Sequence, residues 1–575
     1  MAARLVAYIV ASIVAVTFIA GLLVGAQRDT DGPVDLVIVN GRVFTSVPGD
    51  DPAEAVAVQG NKILRVGTNR EVQRLARAQT IVVDARGGSV LPGFNDAHVH
   101  ALSGGLELGE VNLVGAHTLE AIGSTVRQWA ASHADQPWIT GRGWSSDAFP
   151  GGQPTRQQLD QWVPDRPAVL RAGDGRAAWA NTAALKLAGI TRRTANPASG
   201  VIVKDPRSGE PTGVFKDEAM ALVITHVPPP SRHERLLALR RAIGAAHRVG
   251  VTSLQTSDNA DELDLFDELR RDGRLLVRIY AALAGDTVSA VDLERFDAAR
   301  TRFPDDPLLK TGAVTLVVDD AVELRTGELL EAPADRAAAG KPRYDQATLD
   351  SIVAELDRRG WQVTIRAAAA AGVRMALDAF ERAVQANRPP ERGRRHRIEH
   401  LETIDTADVA RFVRLGVVAS IIPARGSSWP GRIASSSANR DASRAGPGKT
   451  YRSLLANDGT FVFGSDWPSG QIDPRLGMDA AVNPTGRDGL APSTTDADDE
   501  VSLDRVLAAY TSQAAWASFD EQRKGRLAPD MLADIVVLSK DILTLDPGRL
   551  TDAEVAFTIF DGNVVYERQV RTTEQ

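Results

Sequence analysis

Between residues 98 and 464 the chain alternates short apolar runs with amphipathic stretches, and that rhythm constrains its fold more than any other feature. Eight strand-like runs can be marked: one ending at Val99, then Val251–Gln255, Leu276–Tyr280, Val314–Val318, Gln362–Ile365, His396–His400, Val417–Ile421 and Phe461–Gly464. The segments between them carry apolar residues at helical spacing, as in Leu349–Arg359, stopped by Gly360, and in Met375–Val384. Strand and helix in repetition make a parallel sheet, and eight such units predict an α/β fold of the TIM (β/α)8 barrel type.

More β-like runs flank this region. Asp35–Val39, Arg42–Thr45, Ala55–Val58, Lys62–Val66 and Thr80–Asp84 precede it, and Ala533–Leu538, Val555–Phe560 and Val564–Glu567 follow it. Both ends are expected to build one composite β-sandwich, residues 34–91 with 524–570, beside a barrel of residues 92–523. The stretch from about 104 to 227 is too long for a βα loop and is expected to be an insertion capping the barrel mouth. Ala424–Gly448, rich in Ser, Arg and Gly, reads as a lid.

At the amino terminus, Leu5 to Ala26 is an unbroken apolar run, long enough to cross a bilayer and with no polar face. Its length favours a transmembrane anchor over residues 1–27, rather than a signal segment cut after Val24-Gly-Ala26. Either way the body is expected outside the cytoplasm, anchored to the membrane or, after cleavage, secreted. The chain has no cysteine, so a metal must be held by His and carboxylates, and disulfides and thiol nucleophiles are excluded. A net charge of -8 with no basic stripe argues against a nucleic-acid partner.

Barrel chemistry sits at the carboxyl ends of the strands. The first run ends in His98 and His100, the sixth in His400, and the eighth is followed by Asp466. Residues i and i+2 of a strand share a face, so His98 and His100 can turn toward one metal ion. Other chemistries lack their spacing. Gly446-Pro-Gly-Lys-Thr450 has no preceding strand and Ser443 in place of the first glycine of a phosphate loop, and Gly464-Ser465-Asp466 is not a nucleophile elbow.

Six ordered blocks carry a resemblance. They are Pro92-Gly-Phe-Asn-Asp-Ala-His-Val-His100, Asp174-Gly-Arg-Ala-Ala-Trp-Ala-Asn181, Arg325-Thr326, Arg395-His-Arg-Ile-Glu-His400, Gly464-Ser-Asp-Trp-Pro468 and Ala533-Asp-Ile-Val-Val-Leu538. Together they resemble the amidohydrolase superfamily, in particular its N-substituted formamide deformylase-like branch, over nearly the whole chain beyond the amino-terminal run. The resemblance implies a metal-dependent barrel beside a composite β-sandwich, and hydrolysis of amide-like, non-peptide C–N bonds. It implies too that Asp466 takes a proton from metal-activated water and returns it to the departing amine.

The same resemblance marks departures. The family's bridging lysine at the end of strand four is Thr315 here, and histidines of the family are replaced by Arg176, Arg366 and Arg425. A centre with two metals is therefore not expected. One divalent metal, zinc by preference, is expected on His98, His100 and Asp466, with His400 as a fourth ligand or a water-orienting group. Asp466 and His400 are the catalytic candidates; Arg176, Trp179, Asn181, Arg366 and Arg425 are the pocket candidates, and Asp319 and Glu323 could replace the lost carboxylate. The partner is then a small-molecule substrate, and homo-oligomerisation stays open. A second reading is a catalytically silent barrel that binds an anionic ligand, with Arg366 paired to Asp466.

Overall fold

The computed structural model describes residues 34–47, 49, 52–258, 260–285, 288–319, 343–423, 454, 459–483 and 501–569. The apolar run Leu5–Ala26, Glu323, Arg425, the lid segment and the sequence Gly446–Thr450 lie outside the described residues. Among the described residues no helix is long and apolar enough to cross a membrane.

Eight strands form one parallel sheet in chain order: β1 Phe94–Val99, β2 Val251–Asp258, β3 Arg278–Ala284, β4 Leu309–Val317, β5 Gln362–Ala367, β6 Arg397–His400, β7 Val418–Ile421 and β8 Phe461–Phe463. All eight marked runs fall on these strands. The sheet curls almost shut. Asp466 N donates to His98 O at 2.9 Å and His100 N to Trp467 O at 2.9 Å, joining the chain after β8 to the end of β1. Gly464 permits this approach, since a Cβ there would lie 2.6 Å from the His98 Cβ.

Alternation along each strand sorts its side chains. On β5, Val363 and Ile365 join the large apolar layer between strands and helices, whereas Gln362 and Thr364 make polar contacts inside the barrel. The helices supply matching stripes. Arg232–Arg248 opens with a capping box of Ser231 and Glu234 and buries Ala238, Leu239, Ala242, Ile243 and Ala246, a spacing of one helical face. Each Leu or Ile so buried contributes about 1.5–3 kcal/mol.

Two further sheets pack beside the barrel. One has four strands, all from residues 62–67, 55–59, 36–39 and 81–84. The other has five and draws on both ends of the chain, pairing Ser89–Pro92 antiparallel with Ile535–Leu538. Leu36, Ile38, Val56, Val90, Ile535, Val537 and Ile559 fill the space between them. The carboxyl-terminal segment also closes the strand-start end of the barrel. There Arg278 forms a two-pronged ion pair with Asp534, at 2.5 and 2.8 Å, and Lys310 meets Asp520 at 2.6 Å.

The insertion holds a six-stranded sheet spanning residues 111–217, with its own apolar core. Glu107, on the short helix that follows His100, holds Arg142 of this sheet at 2.6 Å.

Candidate functional site

The mouth of the barrel is shaped by a bulge in β1. Asp96 and Val99 face Leu254 and Thr256 of β2, so three steps of one strand match two of the other. Ala97 faces inward, packed with Val418 and Val462, and the bulge turns the neighbouring His98 inward as well. His100 lies one residue past the strand, at the start of the helix Ala101–Glu107. The simple i, i+2 geometry of a flat strand is thus replaced by a bulge and a helix start, with the same result.

His98 Nε2 and His100 Nε2 each lie 3.4 Å from Asp466 Oδ1, and ligand atoms of the three residues all fall within 4.8 Å of one another. Burial alone would raise the Asp466 carboxyl, but the His100 and His98 imidazoles hold it well below its usual range. His98 is raised despite its burial, because Glu399 and Asp466 flank it. The His400 ring stands edge-on to His98 with centroids 5.1 Å apart. His400 and Asp466 have left-handed backbone, with φ of 76° and 51°. Strain of that kind in non-glycine residues costs about 1–3 kcal/mol each and clusters where side chains must be aimed.

The donor set suits a borderline divalent metal: two imidazole nitrogens and a carboxylate oxygen, converging at a buried point. Both ring nitrogens of His98 are buried and face only carboxylates, Glu399 at 3.2 Å and Asp466 at 3.4 Å, a setting that suits a metal-binding imidazole backed by a carboxylate.

Sequence reading missed two supporting residues. Glu399 Oε2 lies 3.2 Å from His98 Nδ1, behind the face turned to Asp466, as an orienting carboxylate stands behind a metal-binding histidine. Asp96 Oδ1 accepts from Ser465 N at 2.9 Å and from His98 N at 3.2 Å, fixing the two strand ends together; burial pushes its carboxyl up to about 6. Both lie in blocks already singled out, and Asp96 stands two residues before His98.

The position of the missing lysine is filled by hydroxyls. Thr315 Oγ1 meets Thr364 Oγ1 at 2.6 Å and Ser257 Oγ at 3.3 Å. Asp319 is occupied elsewhere, accepting from Ala368 N at 2.6 Å and Ala369 N at 3.2 Å. It anchors the turn before the helix Ala370–Ala386.

Two pocket candidates need correction. Trp179 is fully buried within the insertion, its ring against Trp144, Phe149 and Trp162 and its Nε1 donating to Thr155 O at 2.9 Å. Asn181 caps the helix Thr182–Leu187 and donates to Val163 O and Arg166 O. Packing and capping account for both. Arg176 is exposed on the turn ahead of the strand Ala177–Ala180. Arg366 lies near the end of β5, and among the described residues no ion pair joins it to Asp466. The pairing expected of a metal-free centre is therefore not formed there.

Residues 81–566 match the sequence profile described as the amidohydrolase family. The chain is 30% identical over 521 residues to Protein LONG AFTER FAR-RED 3 of Arabidopsis thaliana, covering 88% of this chain and 87% of that protein. It is 27% identical over 549 residues to the N-substituted formamide deformylase of Arthrobacter pascens, covering 93% and 98%. Among solved structures, an uncharacterized metal-dependent hydrolase from Pyrococcus horikoshii OT3 has the same fold, with a TM-score of 0.68 at 23% identity over 89% of this chain and 99% of that one.

Proposed function

The chain belongs to the amidohydrolase family, a class of hydrolases acting on carbon–nitrogen bonds, and from that premise we propose a single-metal enzyme that cleaves a non-peptide, amide-like C–N bond in a small molecule. One observation carries the reading: His98, His100 and Asp466 bring two imidazoles and a carboxylate within 4.8 Å of one another at the barrel mouth, with His98 and Asp466 buried.

His98, His100 and Asp466 would hold the metal, with His400 beside them. A divalent ion such as zinc, when bound, lowers the pKa of a water and polarises the carbonyl under attack. The Asp466 carboxylate, 3.4 Å from both imidazoles, is placed to accept the proton of the attacking water. It then gives that proton to the leaving nitrogen as the C–N bond breaks, leaving hydroxyl on the carbonyl carbon and a free amine. Glu399 fixes the orientation of His98 through Nδ1, and His400 orients the water.

Hydrolysis of a panel of formamides and small amides tests this reading, with amine release as the signal. The protein should release amine from at least one, and Asp466→Asn should reduce that rate by a factor of 100 or more, given the about 10²–10⁴ usual for a positioned proton carrier. Equal rates for the two proteins would refute the role of Asp466.

We further propose that the body works outside the cytoplasm, tethered through Leu5–Ala26; the length and uniform apolarity of that run support it. Fractionation with protease treatment of intact cells tests this, and recovery of uncut protein in the cytosol would refute it.

A further inference from the structure

The described inner wall of the barrel holds several cations, and all but one are engaged. Arg397, fully buried, donates to Gln255 Oε1 at 2.5 Å, Ala97 O at 2.6 Å and Ser420 Oγ at 3.2 Å. Arg278 holds Asp534 and Asp561, Lys310 holds Asp520, and Lys524 donates to Ser253 Oγ at 2.9 Å. The exception is Arg366.

Its direction follows from the strand. Gln362 and Thr364 of β5 point inward and Val363 and Ile365 outward, so the alternation turns Arg366 inward at the mouth. Its register partner on β6 is Glu399, one strand away at about 5 Å. Glu399 is spoken for, with one oxygen 3.2 Å from His98 and the other 3.6 Å from Arg397. On the other side the register partner is Val317, and Thr315 below it is neutral and tied to Thr364. Among the described residues Arg366 forms no ion pair, and its buried Nε has no hydrogen-bond partner. A guanidinium cannot shed its charge near neutral pH, and Arg366 is half-buried with its Nε, though not its whole head, shut off from solvent.

We infer that Arg366 is a specificity residue that binds a carboxylate on the substrate, so that this site takes C–N compounds bearing a carboxylate a few atoms from the scissile carbonyl. The inference rests on the hydrolase reading for the scissile bond, but not for the anion. Arg366 and the His98–Asp466 cluster are separated by Glu399, which touches His98, so a small molecule can span both. An Arg–carboxylate pair can form two parallel hydrogen bonds, which fixes orientation as well as charge.

The test uses a pair of ketones that cannot be hydrolysed. Levulinate has the carbonyl and carboxylate spacing of an N-acetyl amino acid with a methylene in place of the amide nitrogen, and levulinamide is its uncharged counterpart. Titration calorimetry on the zinc-loaded protein should show levulinate binding at least tenfold tighter than levulinamide. Arg366→Gln should abolish that preference with levulinamide affinity unchanged, and Arg366→Lys should restore part of it. The inference is overturned if the protein does not bind levulinate, if it binds both ketones equally, or if Arg366→Gln weakens both alike. Preference for levulinate through Arg366 in a protein that takes up no metal would preserve the anion site and remove the hydrolase reading. Metal uptake without preference would do the reverse.

Discussion

Replacing Glu399 with Gln isolates one carboxylate charge at nearly constant shape. In the native protein burial alone would raise this carboxyl, but His98 and then Arg397 outweigh burial and hold it below its usual value. It is therefore charged where it meets His98 Nδ1 at 3.2 Å, and it would make Nε2 a stronger electron-pair donor to a metal held together with Asp466. Losing an orienting carboxylate of this kind usually costs about 10–100-fold in metal affinity. At about 1.4 kcal/mol per tenfold, the loss is roughly 1.4–2.8 kcal/mol. Arg397 keeps its bonds to Gln255, Ala97 and Ser420 in the variant, so the barrel should stay folded. Competition for zinc against a chromophoric chelator measures the effect, with circular dichroism as the control for folding. An affinity within twofold of the unchanged protein, in a folded variant, would refute the supporting role of Glu399.

Other perturbations have equally direct readouts. Asp534→Ala leaves the buried Arg278 guanidinium without its two-pronged partner and should cost about 3–5 kcal/mol in urea unfolding; a loss below about 1 kcal/mol would show that Asp561 suffices. Burial holds Lys524 down to about 8 against an ordinary 10.5, so the folded state binds its proton less tightly than the unfolded chain does. Its contribution to stability is present above about 10.5 and is lost as pH falls through about 8, so thermal stability should rise over that interval and the rise should shrink in Lys524→Met; identical profiles would contradict the assignment. Trp179→Ala should destabilise by about 3–5 kcal/mol, as expected for an emptied aromatic core site, while metal uptake stays intact. Loss of metal without loss of stability would return Trp179 to the site.

The barrel was legible because eight apolar runs and the helices between them keep two different periods, and burial on both faces of a parallel strand enforces those periods. His98, His100 and Asp466 were legible because barrel side chains converge where strands end. Less local features were hidden. The bulge at Ala97 depends on the register of β1 against β2, and no run of residues in β1 announces it. Glu399 shares the inner face with Arg397, while its neighbour His400 reaches His98 from a strand end with left-handed backbone, a departure from simple alternation that the sequence does not mark. Asn181 could have been read correctly, since an Asn directly before Thr182–Leu187 is an ordinary helix cap. Trp179 is an aromatic whose polar atom found a backbone carbonyl inside the insertion, which composition cannot distinguish from a pocket wall.

The most direct test of the central claim is metal content by mass spectrometry, for the purified protein and for the same protein with His98→Ala and His100→Ala together, each after zinc reconstitution and dialysis. About one divalent ion per chain is expected in the first and a near-complete loss in the second, since two of three donors are removed. Absence of bound metal from the unchanged protein, or equal content in both, would contradict a metal centre on His98, His100 and Asp466.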